Sequence, residues 1–349
     1  MNLEILKCPI TGESLQQASL EIIRKINADN ENSQKMGDGL VNQSENIFYP
    51  IFGEVIALLP HYATKLKDDV DLGTMQFDKE RVFRYYNEVN YKGYENKIIY
   101  ADSNKWIDYR EVSREYMENS YLRAQKYLPK SGEYLLDIAS GTIGFKEYLQ
   151  LSDNFKTRIC IDISLEALFQ AAANFKGRDG IFICGDITNI PLKENSCDAV
   201  LSQHTLYHIP KNEQEHAVRE MYRVCKKGGV VAIVYNWFYY SALINVTTFP
   251  FQIVRVARHI AGKIYVRLFP QKARLYFFVY PESWFRKFEF GKDIENFCWR
   301  SVNKRFLDLF IHESFGGKRI LTWLQKMEDK YPKFFGKIGD YPIIIIPKK

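Results

Sequence analysis

The sequence predicts an α/β fold: a doubly wound, mostly parallel sheet, with a small α+β unit ahead of it and a helical, aromatic insertion late in the chain. Three observations carry this. Across 133–236, apolar strand-like runs alternate with helical patterns. The first run enters a tight small-residue loop, Ala139-Ser140-Gly141, before the next helical stretch. The chain closes on a continuous apolar run, Tyr341-Pro342-Ile343-Ile344-Ile345-Ile346-Pro347, which reads as a buried final strand.

In the central region the expected strands are 134–138, 157–161, 180–184, 199–202 and 230–235. Helical patterns at 145–151, 164–174 and 213–225 lie between them. Alternating units of this kind put helices on both faces of a parallel sheet, and ligands beyond the carboxyl ends of its strands. Residues 61–132 read as a helical linker and cap, with helices at 77–88 and 112–127. Tyr116, Tyr121 and Tyr127 on the second either pack or face a site, with packing the leading reading.

Composition bounds the function. The chain has 349 residues, 46% hydrophobic and 26% charged, as soluble folded proteins do. A net charge of +6 is mild and lacks the dense basic field of a dedicated nucleic-acid binder. The six cysteines form no CxxC pair and no disulfide framework. The start of the chain has neither a basic nor a long apolar segment, and no run of about 18 uncharged apolar residues follows. A cytoplasmic protein is expected.

The strongest motif is Leu136-Asp137-Ile138-Ala139-Ser140-Gly141, followed by Thr142-Ile143-Gly144. Small side chains there let a ligand approach the backbone. Asp162 ends the second strand, about 20 residues on, where an acid suits two ribose hydroxyls. Gly185-Asp186-Ile187 follows the third strand, and Cys197-Asp198-Ala199-Val200-Leu201-Ser202-Gln203 forms the fourth. Together with Ile190-Pro191-Leu192 and Arg223-Val224-Cys225-Lys226-Lys227-Gly228-Gly229, these pieces resemble the class I S-adenosylmethionine-dependent methyltransferases of the small-molecule type. The resemblance covers about 130–236. It departs at Ala139, where the family has its first glycine, and at Gly144, one residue late.

This resemblance implies a Rossmann-like, seven-stranded sheet: five parallel strands, then two in the C-terminal part, the last inserted antiparallel. It implies S-adenosyl-L-methionine as cofactor and no metal. The methionine end is expected on Ala139, Ser140, Gly141 and Gly144, near Asp137, and on the Ser202-Gln203 backbone. The ribose is expected at Asp162 and Ile163, and the adenine at Asp186 and Ile187.

His204 and His208 follow the fourth strand, four residues apart, and are expected to share a helix face. Two roles stand for them: general base toward a substrate hydroxyl, or shaping of the pocket. Tyr207 is a weaker candidate.

Residues 1–60 resemble the small zinc-ribbon-like domain of tRNA-methyltransferase activator subunits, also fused ahead of some bacterial methyltransferases. The matching residues are Cys8-Pro9, Gly12, Leu15, Tyr49-Pro50-Ile51 and Gly53. Where metal-binding members carry CxxC, this chain has Cys8-Pro9-Ile10-Thr11, so the unit is read as metal-free.

Residues 237–300 are read as the substrate-side insertion. Within 251–268, Ile253, Ala257, Ile260 and Ile264 form one stripe, opposed by Arg255, Arg258, His259 and Lys263. A lid, a basic helix on an anionic membrane surface, and a dimer surface are the competing readings. Trp299-Arg300-Ser301-Val302-Asn303-Lys304-Arg305 is read as a salt-bridged basic surface. The leading acceptor is an oxygen of a small molecule or glycan-like metabolite. The rivals are tRNA or protein, and a catalytically silent scaffold. No RNA-binding module accompanies the basic clusters.

Overall fold

The computed structural model describes residues 3–29, 35–88, 91–94, 97–249 and 276–349, and positions 251, 257, 261, 262, 264, 265, 267 and 268. The stripe expected in 251–268, with its proposed membrane contact, lies largely outside the described residues.

The chain begins with β1 (Leu15–Gln17), helix α1 (Leu20–Asp29), β2 (Gly39–Asn42), β3 (Ile47–Phe52), β4 (Val55–Ala57) and β5 (Thr64–Lys65). Strands β1 to β4 form an antiparallel meander. Gly53 permits the two-residue β3–β4 turn, since its φ is +59°. Helix α2 (Phe77–Glu88) leads to a separate antiparallel hairpin of β6 (Tyr91–Tyr94) and β7 (Lys97–Tyr100). Helix α3 (Glu111–Leu122) follows, continued by a 3-10 segment, Arg123–Tyr127.

The central sheet is built by β8 (Gly132–Ile138), α4 (Lys146–Gln150), β9 (Phe155–Asp162), α5 (Leu165–Asn174), β10 (Gly180–Cys184), β11 (Cys197–Gln203), α6 (Gln214–Val224), β12 (Cys225–Val234), β13 (Glu295–Arg300) and β14 (Tyr341–Pro347). Its order is β10-β9-β8-β11-β12-β14-β13. The first five of these strands are parallel, and β14 is inserted antiparallel between β12 and β13. This is the doubly wound seven-stranded arrangement that the sequence predicts. The order reverses at β8 and β11, which leaves a crevice beyond their carboxyl ends. Strand alternation divides the core: Leu136, Ile138, Val200 and Ile233 face one side, and Leu135, Leu201, Ala232 and Ile343 the other.

The sheet also runs on into the N-terminal unit. β4 pairs in parallel with β10, setting Val55, Ile56 and Ala57 opposite Phe182, Ile183 and Cys184. Leu6, Cys8, Leu40 and Ile56 share one apolar cluster with Ile183, Ile190 and Leu192.

Several expectations need correction. The helix expected at 112–127 is α-helical only to Leu122. The segment 61–132, expected to be helical, contains the β6–β7 hairpin. The insertion expected to reach residue 300 ends before Glu295, because β13 belongs to the sheet. The surface reading of the basic cluster also fails at its start: Trp299 is 1% and Arg300 4% exposed. The cause is that β14 and helix Gly317–Lys330 cover the end of β13.

Candidate active site

A cavity of about 480 Å³ opens at the carboxyl ends of β8, β9 and β11. It runs from Asp186 and Ile187, past Asp162, Ile163 and the 139–144 loop, to His204, Trp299, Arg300 and Tyr341. Asp137, Gln203 and His208 also line it. Ser202 does not: it is buried within β11, with its hydroxyl unpartnered among the described residues.

The β8 loop holds a strained backbone. Ala139, Gly141 and Ile143 have φ of +51°, +57° and +48°. Such angles cost about 1–2 kcal/mol at a non-glycine residue, so the surroundings must enforce them. Asp162 does so from β9. Its carboxylate accepts the Gly141 amide at 2.9 Å and the Ser164 amide at 2.9 Å. Burial nevertheless pushes the Asp162 pKa up to about 6. With about four lone-pair sites on its two oxygens, the carboxylate keeps acceptor capacity that suits hydroxyl donors. Asp137 is engaged by Arg158, whose Nε lies 3.1 Å away.

Gly144 has another role. A Cβ there would collide with Ile99 and sit 2.7 Å from the Ile98 carbonyl. Glycine at 144 therefore admits the β6–β7 hairpin against the loop. Asn174, on α5, ties the two together by donating to the carbonyls of Thr142 at 2.8 Å and Ile98 at 3.0 Å. Tyr100 closes over Gly141: a Cβ there would meet its hydroxyl at 3.2 Å. Sequence reasoning missed this hairpin.

Asp186 is partly occupied by protein. Lys79, on α2, lies 2.6 Å from it and 2.7 Å from Glu213, and donates to Thr188 at 3.0 Å. Thr188 also donates its amide and hydroxyl to Asp186, each at 2.8 Å. Helix α2 is thus clamped across the cavity by a half-buried cation that the sequence reading did not single out.

The two histidines do not share a helix face, which corrects the expectation. His204 has φ of +58° and pairs its amide with Val234, so the chain turns there, and only Leu206–His208 is helical, as one 3-10 turn. The His204 ring packs edge-on against Trp299 and Tyr341. Burial lowers its pKa to about 3, aided by Arg300. Burial lowers that of His208 to about 4. His208 Nδ1 lies 2.8 Å from the Tyr276 carbonyl. A carbonyl only accepts, so Nδ1 carries the proton and Nε2 keeps its lone pair. The end of the insertion supports this turn: Phe278 bonds to the Tyr207 carbonyl at 2.8 Å, and Phe277 lines the cavity.

All six cysteines are free and buried. No helix among the described residues is long and apolar enough to cross a membrane.

Residues 136–233 match the methyltransferase domain family. An uncharacterised methyltransferase of Mycobacterium bovis is 32% identical over 108 residues, 31% of this chain and 41% of that one. A malonyl-[acyl-carrier protein] O-methyltransferase of a Marinomonas species is 31% identical over 100 residues, 28% and 36% of the two chains. A demethylmenaquinone methyltransferase of Renibacterium salmoninarum is 34% identical over 102 residues, 29% and 40%. The chain thus spans about two fifths of the length of these curated relatives. Among solved structures, a complex of the Haloferax volcanii Trm112 methyltransferase activator with a putative methyltransferase aligns at TM-score 0.42. It is 18% identical and covers 68% of this chain and 92% of that one. The matched segment spans β8 to β12, the glycine loop and Asp162, so the chain carries a class I, Rossmann-like methyltransferase domain of the S-adenosylmethionine-dependent kind.

Proposed function

We propose that the whole protein is an S-adenosylmethionine-dependent methyltransferase that transfers a methyl group to an oxygen of a small-molecule or glycan-like acceptor. The carrying observation is one cavity that joins the strained glycine loop and Asp162 to a second, aromatic-walled chamber at His204, Trp299 and Tyr341.

The residues fit the cofactor. The carboxylate of Asp162, raised in pKa by burial, is suited to ribose hydroxyls that would stabilise its ionised form. The small residues Ala139, Ser140 and Gly141 line the cavity and leave their backbone open to the methionine end, with Tyr100 packed over Gly141. Ile163 and Ile187 offer apolar faces for the adenine, whose amino group would share Asp186 with Lys79. The bound cofactor supplies an already electrophilic methyl carbon, so alignment of the acceptor accounts for most of the catalysis. His208 supports an oxygen acceptor: its Nε2 lone pair can accept from, and so orient, a hydroxyl. His204, held at about 3, is a feeble proton acceptor and is better suited to shaping the chamber.

We read the first 60 residues as a metal-free relative of the activator domain. What supports this is the use of Cys8 inside the fold, where its Sγ lies 3.2 Å from the Tyr49 hydroxyl and accepts the Thr11 amide.

The test is calorimetric titration with S-adenosylmethionine and S-adenosylhomocysteine, beside Asp162→Ala. Saturable binding, weakened at least tenfold in the variant, is expected, followed by labelled-methyl transfer to hydroxylated acceptors. Absence of binding by folded wild type would sink the enzyme reading.

A further inference from the structure

The aromatic end of the cavity contains a cation without a counter-charge among the described residues. Arg300 is 4% exposed and lines the cavity. Its guanidinium stacks on Trp299 at 5.1 Å and Tyr341 at 4.8 Å, and one nitrogen lies 2.7 Å from the Met117 sulfur. Among the described residues, no carboxylate lies within ion-pair distance of it. The buried acids of this region are engaged elsewhere. Glu328 holds Arg123 at 2.6 Å, and Asp340 accepts from Asn303 at 2.9 Å. Burying an unpaired charge costs several kcal/mol even after relaxation, so such a site is normally completed by an anion.

The surrounding polar atoms point the same way. Arg300 Nε, Trp299 Nε1, the Tyr121 hydroxyl and Gln203 Nε2 are all buried without partners among the described residues. All four can donate. All four residues line the cavity, together with the aromatic faces of Tyr148 and Tyr341.

We propose that Arg300 anchors an anionic group, a carboxylate or a phosphate, on the methyl acceptor. This rests on the methyltransferase reading and narrows the acceptor to a small organic anion whose body lies against the aromatic walls. Two carriers could bring a carboxylate here: the acceptor, or the methionine end of the cofactor. The sheet favours the acceptor. In the order β8-β11-β12-β14-β13, Arg300 stands four strands from the glycine loop. That separates the two backbones by about 19 Å at the strand ends, at roughly 4.8 Å per strand, and the guanidinium reaches back only over Tyr341 of β14, the neighbouring strand. A methionine end held at 139–141 leaves the Arg300 chamber to the acceptor.

The experiment compares wild type with Arg300→Met and Arg300→Lys. S-adenosylhomocysteine affinity is measured first. Then, at saturating S-adenosylhomocysteine, the probes are benzoate, phenyl phosphate and benzamide, a neutral analogue of benzoate. Wild type is expected to bind benzoate or phenyl phosphate at least tenfold more tightly than benzamide. Arg300→Met loses that discrimination, Arg300→Lys keeps part of it, and S-adenosylhomocysteine affinity stays within threefold throughout. If wild type binds neither benzoate nor phenyl phosphate more tightly than benzamide, the proposal is overturned, even if Arg300→Met does not fold. A tenfold loss of S-adenosylhomocysteine affinity in Arg300→Met also overturns it, by assigning the arginine to the cofactor's carboxylate. If folded wild type binds no S-adenosylhomocysteine yet discriminates benzoate from benzamide, the cofactor reading fails and the anion site stands.

Discussion

Asp162 and the two histidines titrate in opposite senses. The Asp162 pKa is raised to about 6 by burial, so the folded state keeps a proton that the unfolded chain has lost. Its contribution to stability is full below about pH 4 and disappears as pH rises through about 6. Hydroxyl donors of a bound cofactor would favour the ionised form. S-adenosylhomocysteine affinity is therefore expected to rise between pH 5 and 7, by up to about tenfold per unit. Calorimetry across that range should show the rise in wild type and a flat profile in Asp162→Asn. His204 and His208 are depressed, to about 3 and about 4. Their contribution is present above about pH 6.5 and is lost as pH falls through the folded values. Two such groups give a slope approaching roughly 2.7 kcal/mol per unit. Asp162 runs against them over the same range and halves that slope, so urea unfolding at pH 6, 5 and 4 should show wild type losing stability with acid and His204→Phe losing almost none.

At the scale of the element, the β6–β7 hairpin and α2 act as covers for the strand ends. Gly144→Ala forces the hairpin away from the loop, because the new methyl meets Ile99 and the Ile98 carbonyl. The expected cost is about 1–3 kcal/mol, with a clear loss of S-adenosylhomocysteine affinity. Gly93→Ala, in the same hairpin, meets nothing within 4 Å and should leave both unchanged. Lys79→Met tests the α2 clamp. Asp186 and Glu213 then face each other's charge without a cation, and the helix should loosen. Faster amide exchange across 77–88 in the variant is the expected readout.

For the whole molecule, the issue is whether the N-terminal unit is separable. The parallel pairing of β4 with β10 and the shared apolar cluster make it part of the main core. Ile56→Ala should therefore cost about 2–5 kcal/mol to the entire fold. All five tryptophans lie after residue 100. A tryptophan-fluorescence unfolding curve shifted by Ile56→Ala would thus report coupling across the joint. An unshifted curve would mean two independent units. Removing 1–60 should expose the β10 edge and yield aggregating protein.

What was legible in the sequence was whatever local pattern dictates. The strands from 132 to 234, the glycine loop, the acids at strand ends and the apolar final strand each carry their signal within about ten residues, because burial on both faces demands continuous apolar runs. The matches between sequence and structure in β8, β9 and β10 are of this kind. The tertiary structure alone decided the rest. Tyr91-Lys92-Gly93-Tyr94 carries no apolar alternation, so the hairpin forms only because Gly144 and Asn174 receive it. Arg300 reads as one more charge in a basic run, and only the cover provided by Tyr341 of β14 and Met117 of α3 makes it a buried cation, unpaired among the described residues. Whether a charge is solvated or enclosed depends on what packs over it, and residues distant in the chain settle that.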